Sequence, residues 1–181
     1  VALLGAGNDL FVWNPGDGSD VVEGQAGTDT LRFNGSNAAE NIDILANGGR
    51  ALLFRNVGNV TMDLDDVEVI EVNALGGADT IVVGDLTGTD VTKVKLNLAG
   101  AGGSGDGQAD AVTVNGTQNA DTFGAVGTAG SGSVTVFGLQ AAVELTGVEG
   151  ALDRLTLNGL GGDDVIDASG LQAGLVSLTI N

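Results

Sequence analysis

Three short segments near the start of the chain combine glycine with an aspartate that stands just before an apolar run. In Leu4–Val12, Pro15–Glu23 and Gly24–Arg32 the fourth residue is Gly, the sixth is Asp and the eighth is large and apolar. Glycine permits left-handed backbone conformations, which exposes carbonyl oxygens, and the aspartate adds a carboxylate. Calcium takes about six to eight oxygen ligands of these two kinds. Since one turn cannot supply them all, the spacing predicts calcium held between two stacked turns.

The three segments follow the template G-G-x-G-x-D-x-U-x, in which U is apolar. At this point the chain resembles the repeats-in-toxin family, also called hemolysin-type calcium-binding repeats. In that family each nonapeptide is a half-coil of a parallel β-roll, and calcium lies between the turns of every second repeat. The resemblance implies a site between the turns at 5–9 and 24–29, with Asp20 on the opposite edge. The candidate ligand residues are Gly5, Gly7, Asp9, Gly16, Gly18, Asp20, Gly24, Ala26, Gly27 and Asp29.

Acidic turns farther along the chain keep this order only in part. Gly76–Ile81 and Gly161–Ile166 have the Gly-Gly, the acid and the apolar residue, but each stands alone rather than in tandem. In Gly105–Val112 a Gln stands where the Gly belongs. At position 40 a Glu replaces the Asp. The further candidate ligands in these turns are Asp79, Asp110 and Asp164. The alternative is that these turns are ordinary corners of the fold, because Asp and Gly are common in solvent-facing turns.

Short strands must position these turns. Leu31–Phe33, Val94–Leu98 and Val112–Val114 alternate apolar and polar residues, which predicts strands with one buried face. Asn-Gly pairs between such segments predict turns. Lys93 and Lys95 lie on one face of a predicted strand, where we expect them to protect an exposed sheet edge.

The sequence also repeats itself at long range. Leu31–Ser36 matches Val112–Thr117 at an offset of 81, and Val72–Asp79 matches Leu157–Asp164 at 85. A four-residue insertion near Gly150–Asp153 accounts for the change. An asparagine at a strand-to-turn junction recurs at Asn34, Asn73, Asn115 and Asn158. Short strands, Gly-rich turns and a repeat near 40 residues predict an all-β, right-handed parallel β-solenoid. The alternative is an antiparallel β-sandwich.

The composition excludes several classes of protein. The 181 residues include 24 acidic and six basic side chains, giving a net charge of −18, with no His and no Cys. A Cys/His zinc site, a Ser-His-Asp triad and a thiol nucleophile are therefore excluded, and a nucleic-acid backbone would be repelled. Apolar residues make up 43% of the chain, which argues against disorder. No apolar run is long enough for a transmembrane helix, and we expect Trp13 in the core.

We expect tandem calcium-binding nonapeptides in 1–33 and degenerate solenoid repeats in 34–181. The resemblance implies a non-enzymatic, calcium-binding structural segment of a large secreted or cell-surface bacterial protein that folds on calcium binding outside the cell. Its expected partners are calcium ions, neighbouring repeats of a longer chain, and cell-surface or self-assembly partners. The alternatives are a surface-assembly or adhesion module and, less favoured, a carbohydrate-active β-helix such as a lyase or epimerase. A lyase or epimerase site needs Lys, Arg, His or Tyr side chains. This chain has only six Lys and Arg residues and no His or Tyr.

Overall fold

The computed structural model describes residues 1–181 and contains only β-strands, turns and irregular segments. It has no helix, and hence none that could cross a membrane. The strands are β1 (Ala2–Ala6), β2 (Leu10–Trp13), β3 (Asp20–Ala26), β4 (Thr30–Ser36), β5 (Asn41–Asn47), β6 (Arg50–Arg55), β7 (Val60–Asp65), β8 (Val69–Leu75), β9 (Thr80–Val83), β10 (Lys93–Asn97), β11 (Ala111–Asn115), β12 (Thr122–Thr128), β13 (Ser133–Phe137), β14 (Ala142–Thr146), β15 (Arg154–Asn158), β16 (Val165–Leu171) and β17 (Ser177–Ile180).

In most strands the side chains alternate between the core and the outside, because apolar and polar residues alternate in the sequence. In β4, β8 and β10 every second residue is buried, as the alternating sequence predicts. One hydrophobic cluster of 35 buried residues, nearly all aliphatic, runs from Trp13 to Val176. Trp13 is fully buried, which confirms the expectation for this residue.

Two sheets share this core. The first sheet has nine strands in the order β1-β3-β7-β6-β5-β9-β11-β15-β17, and the second has eight in the order β16-β12-β13-β14-β10-β8-β4-β2. Outside two inserted regions the chain alternates between the sheets, and neighbouring strands are parallel. The parallel pairing contradicts an antiparallel sandwich. The first coils have a period of 20 residues, since Ala2 pairs with Val22 and Leu10 with Thr30.

Two antiparallel meanders interrupt this alternation, and the sequence analysis did not predict them. The strands β5, β6 and β7 lie side by side in the first sheet, and β12, β13 and β14 lie side by side in the second. The Asn47-Gly48 pair, expected as a turn, is the hairpin turn between β5 and β6, and Gly48 has φ +67° there. Each meander places three strands where a plain coil has one.

The long sequence repeat corresponds to a structural repeat. The strands β4–β10 and β11–β17 follow one pattern: a strand, a three-stranded meander in the opposite sheet, then three strands in alternating sheets. We call these groups unit 1 and unit 2. Unit 1 begins and ends in the second sheet and unit 2 begins in the first, so the two meanders fall in opposite sheets. The four-residue insertion lies in the turn between β14 and β15.

The lysine pair lies elsewhere than expected. Strand β10 is an interior strand, paired with β8 on one side and with β14 on the other. Lys93 and Lys95 therefore do not protect an edge. Their ammonium groups lie 3.0 Å from a carboxylate oxygen of Glu144 and 2.9 Å from one of Glu71.

Candidate functional site

The acidic turns share one backbone conformation. In the turn at 24–29, Gln25 has φ +76° and Gly27 has φ +146°, and Asp29 follows two residues later. Positive φ angles also occur four and two residues before the acid in four other turns, at Gly5 and Gly7, Gly16 and Gly18, Leu75 and Gly77, and Leu160 and Gly162. Glycine at the third position is required by packing as well. A Cβ on Gly27 would lie 1.5 Å from the carbonyl oxygen of Gly7.

The turns at 5–9 and 24–29 stack directly on each other, as the spacing of the nonapeptides predicts. The N–H of Gly7 donates to the carbonyl of Ala26 at 2.8 Å, and the N–H of Thr28 donates to the side chain of Asn8 at 2.9 Å. The N–H of Asp9 donates to Oδ1 of Asp29 at 2.8 Å. Two aspartates and several turn carbonyls are thus brought to one corner of the fold.

One oxygen of each of these aspartates is left without a partner. Oδ2 of Asp9 and Oδ2 of Asp29 are buried and accept no hydrogen bond, and Asp29 is fully buried. A buried carboxylate oxygen without a partner is costly unless a cation or a donor faces it. These residues therefore fit a calcium ion, which prefers carboxylate and carbonyl oxygens. The acids alone do not enclose an ion, because no three of them converge on one point.

Asp20 lies apart from this pair. It begins β3 in the first sheet, whereas Asp9 and Asp29 stand before β2 and β4 in the second sheet. Its strand pairs with β7, where Met62 is the opposite residue. The turn of Gly16 and Gly18 therefore has no second acidic turn stacked on it, and the structure does not bring Asp20 together with the other candidate carboxylates.

The acids at strand starts form columns that cross from one coil to the next. The N–H of Glu40 donates to Oδ1 of Asp79 at 2.8 Å, that of Asp79 to Asp110 at 2.9 Å, and that of Asp110 to Asp153 at 3.1 Å. All four side chains are at least 97% buried. We call this group the acid column. It includes Asp79 and Asp110, which are further candidate ligands by sequence.

Two shorter stacks follow the same rule. In the first, the N–H of Asp29 donates to a carboxylate oxygen of Glu68 at 2.6 Å, which extends the Asp9–Asp29 stack by one residue. In the second, the N–H of Asp121 donates to Asp164 at 3.0 Å. In every case the carboxylate of the later coil accepts from the backbone of the earlier one. The acids thus act as backbone acceptors wherever they stack.

A glycine five residues before the acid makes room for the carboxylate. A Cβ on Gly24 would lie 2.7 Å from Oδ2 of Asp29, and a Cβ on Gly35 would lie 2.7 Å from Oε2 of Glu40. Gly116 and Gly159 stand in the same relation to Asp121 and Asp164. In Asp29 and Glu40 the second carboxylate oxygen therefore packs against this glycine, whereas Oδ2 of Asp121 also accepts from the N–H of Thr117 at 2.6 Å.

Burial and mutual repulsion raise the pKa values of three acids in the acid column, Asp79, Asp110 and Asp153. Loss of hydration raises the pKa of Asp79 to about 7, opposed by the hydrogen bond from Glu40 and reinforced by the nearby charges of Asp110 and Glu40. The same desolvation raises the pKa of Asp110 to about 6 and raises the pKa of Asp153. The column therefore carries a charge penalty at neutral pH that a cation or a proton would relieve.

Asparagines at strand ends form ladders on the outer faces. The amide of Asn34 donates to Asn14 at 2.9 Å, that of Asn73 to Asn34 at 2.8 Å, and that of Asn97 to Asn73 at 3.2 Å. A second ladder joins Asn115, Asn158 and Asn181 at 2.8 Å per step. The junction asparagines of the sequence repeat therefore mark real structural steps.

Sequence reasoning missed the acids that complete the columns. Glu68 and Asp153 lie outside any recognisable nonapeptide, and each joins its column only through residues at least 39 positions away. The Gly-x-x-x-x-Asp/Glu spacing of Gly24, Gly35, Gly116 and Gly159 marks other stacked acids, but no Gly stands five residues before Glu68 or Asp153.

Comparisons with protein-family models, with curated proteins and with solved structures give no significant match to this chain.

Proposed function

We propose that this chain is a calcium-binding structural β-solenoid, with right-handed coils, from a large secreted or cell-surface bacterial protein of the repeats-in-toxin type. The two sheets with parallel strands support a solenoid, and the meanders are then insertions within its coils. Calcium bound at the turns would lock the coils after export. The chain's role is mechanical and non-enzymatic: a rigid segment that holds neighbouring parts of a longer protein.

The observation that carries the calcium proposal is the pair of buried, unpartnered oxygens on Asp9 and Asp29. They lie on turns that are stacked by backbone hydrogen bonds and whose glycines at 5, 7 and 27 have positive φ. A divalent cation there would reverse the sign of the local charge interaction. It would also offset part of the repulsion among the acids of a chain with net charge −18.

Different residues of this chain would supply the carboxylate ligands, supply the carbonyl ligands and hold the turn in place. Asp9 and Asp29 would supply carboxylate oxygens, and the turn residues Gly5, Gly7 and Ala26 would supply carbonyl oxygens. Glu68 would hold the turn through its bond from the N–H of Asp29. Asp79, Asp110 and Asp164 would act first as backbone acceptors within their columns.

Isothermal titration of the chelated protein with calcium, with magnesium as the control, tests this proposal. We expect saturable calcium binding that is lost in Asp29→Ala and kept in Asp63→Ala. Asp63 is the matched control because it is an acid on the outer face, where its carboxylate pairs with Arg50 at 2.6 Å. Equal calcium affinities in the two variants would contradict the assignment.

A role as a surface-assembly or adhesion module is the second candidate, and one apolar patch favours it. Val126 and Phe137 lie on the outward face of the adjacent strands β12 and β13 and are 41% and 43% exposed. Leu45, which matches Val126 in unit 1, is also exposed at 43%. Sedimentation velocity over a range of concentrations tests this candidate: self-association that Phe137→Ser abolishes would support it, and a monomer throughout would exclude self-assembly.

A further inference from the structure

One charge pair is buried inside the fold, and it lies at the end of the acid column. The guanidinium of Arg55 contacts Oε1 of Glu40 through Nη2, and the two side chains are 4% and 0% exposed. The other ion pairs lie at the surface, with their side chains 20–43% exposed. Arg55 is the last residue of β6, so the unit 1 meander carries this cation to the column.

The guanidinium of Arg55 is enclosed by the ring of Trp13, the hydroxyl of Ser36 and the carboxylate of Glu40. The guanidinium carbon lies 5.4 Å from the ring centre of Trp13, and Nη2 also donates to Oγ of Ser36 at 3.2 Å. Trp13 is in turn stacked on Phe33, with ring centres 4.2 Å apart and planes 5° apart. Nε of Arg55 and Oε2 of Glu40 are buried without partners. The buried guanidinium of Arg55 is thus stabilised by its ion pair and its contact with the ring of Trp13 more than by a full set of hydrogen bonds.

Unit 2 offers an internal comparison, because it has the same turn without the arginine. The pairing of β12 with β13 ends at Gly124 opposite Phe137, and the next residue, Gly138, packs against Phe123, where unit 1 has Arg55 opposite Ile42. The matching acid is the shorter Asp121, which accepts from N–H of Thr117 at 2.6 Å and from its hydroxyl at 3.1 Å. Asp121 is only half-buried. A fully buried acid with a counter-ion in unit 1 thus corresponds to a half-buried acid without one in unit 2.

We propose that Arg55 is the built-in counter-ion of the acid column, and that it spares the Glu40 end of the column any need for an added cation. In one respect this inference rests on the proposed function, since it confines the calcium requirement to the Asp9–Asp29 stack. The counter-ion role itself is independent of calcium. It explains why the molecule's one buried acid–base pair lies where four buried acids follow one another.

Melting temperatures measured in chelator test the role of Arg55. We expect Arg55→Met to lower the melting temperature by about 10 °C, because it leaves a buried carboxylate without its counter-ion. The double variant E40Q/R55M should recover at least half of that loss, because it removes both charges. Arg32→Met is the matched control: its guanidinium is exposed and pairs with Glu71 at 3.0 Å, so the shift should stay under about 2 °C.

Chemical rescue separates the charge of Arg55 from its packing. In Arg55→Ala, low-millimolar guanidinium should raise the melting temperature, whereas sodium at equal ionic strength should not. Recovery in the double variant together with guanidinium rescue supports the proposal, and so does a double variant that folds when Arg55→Met does not. A double variant no more stable than Arg55→Met, with no rescue, would overturn it. Because these measurements are made without calcium, their outcome is separate from that of the calcium titration.

Discussion

At the residue scale, each stacked carboxylate has two oxygens with different tasks. Oδ1 of Asp29 accepts from the backbone of Asp9, and Oδ2 has no partner. The sequence shows that an acid directly precedes both β2 and β4, and this is why Asp9 and Asp29 could be predicted as a pair. It does not show which oxygen is engaged, because the donor belongs to a residue 20 positions away. Glu68 and Asp153 escaped prediction because their donors are farther still in sequence, 39 and 43 positions away.

The two tasks can be separated by replacing Asp29 in two ways. Asp29→Asn keeps an oxygen that accepts from Asp9 and removes the charge, so we expect a folded protein that no longer binds calcium. Asp29→Ala loses both, and we expect a further loss of about 1–3 kcal/mol in the free energy of unfolding, because the N–H of Asp9 loses its acceptor. Calcium titration measures the calcium affinity of both variants, and chemical denaturation measures their free energies of unfolding. Equal stability of the two variants in chelator would contradict the acceptor role.

The raised pKa values of the acid column predict a stability that falls as pH rises. The pKa of Asp79 is about 7 in the folded chain, against an ordinary value of 3.8. Between these two values the folded chain binds more protons than the unfolded chain, so its free energy of unfolding decreases with rising pH. In chelator we expect a higher melting temperature at pH 5 than at pH 8.

The variant Asp79→Asn isolates this contribution. It keeps an acceptor for the N–H of Glu40 and cannot ionise, so it should melt above the wild type at pH 8 and show a weaker pH dependence. Each pKa unit corresponds to about 1.4 kcal/mol, so the gain at pH 8 should amount to a few kcal/mol. Thermal melts at both pH values measure it. A variant less stable than the wild type at pH 8 would show that the ionised form is the one the fold requires.

At the element scale, strands and turns were predictable and their order in the sheets was not. The alternation in β4, β10 and β11 and the asparagines at their ends identify strands and turns correctly, because both signals are local. The meanders escaped prediction because β5, β6 and β7 show the same alternation whether their neighbours are parallel or antiparallel. Pairing depends on which strand lies beside them. For the same reason Lys93 and Lys95 were assigned to an edge although β10 is an interior strand.

The close fit between strand ends and acids makes Gly35 a critical position. A Cβ there would lie 2.7 Å from Oε2 of Glu40 and 2.7 Å from the carbonyl of Ala74. We expect Gly35→Ala to reduce the free energy of unfolding by about 1–3 kcal/mol through overpacking. Gly102→Ala is the matched control, because a Cβ at Gly102 meets no atom within 4 Å. Urea denaturation of both variants measures the difference, and equal losses would refute the packing argument.

The asparagine ladder predicts a dependence on position. Asn73 both donates to Asn34 and accepts from Asn97, whereas Asn181 only donates, to Asn158. Asn73→Ala should therefore cost about twice as much stability as Asn181→Ala, at roughly 1 kcal/mol per hydrogen bond. Denaturation midpoints compare the two, and a larger loss for Asn181→Ala would contradict the ladder as a source of stability.

At the scale of the whole molecule, the sequence predicts the long repeat correctly but does not predict that the two meanders lie in opposite sheets. Offsets of 81 and 85 residues mark unit 1 and unit 2, but only the structure shows that the second meander lies in the opposite sheet. The cluster of 35 buried residues is nearly all aliphatic, which follows from a composition with only 3% aromatic residues. The same composition gives the molecule 24 acids and six bases, so its stability should respond strongly to cations.

The measurement that tests the account most directly is a thermal melt followed by circular dichroism, first in chelator and then with calcium, with magnesium as the control. At a calcium concentration about 100 times the dissociation constant, binding contributes about 2.7 kcal/mol. We therefore predict a rise in melting temperature of about 5–10 °C for a chain of this length. Magnesium at the same concentration should leave the melting temperature nearly unchanged. A chelated protein that is fully folded and melts at the same temperature with calcium would contradict the central claim, and would assign the acids to backbone hydrogen bonding alone.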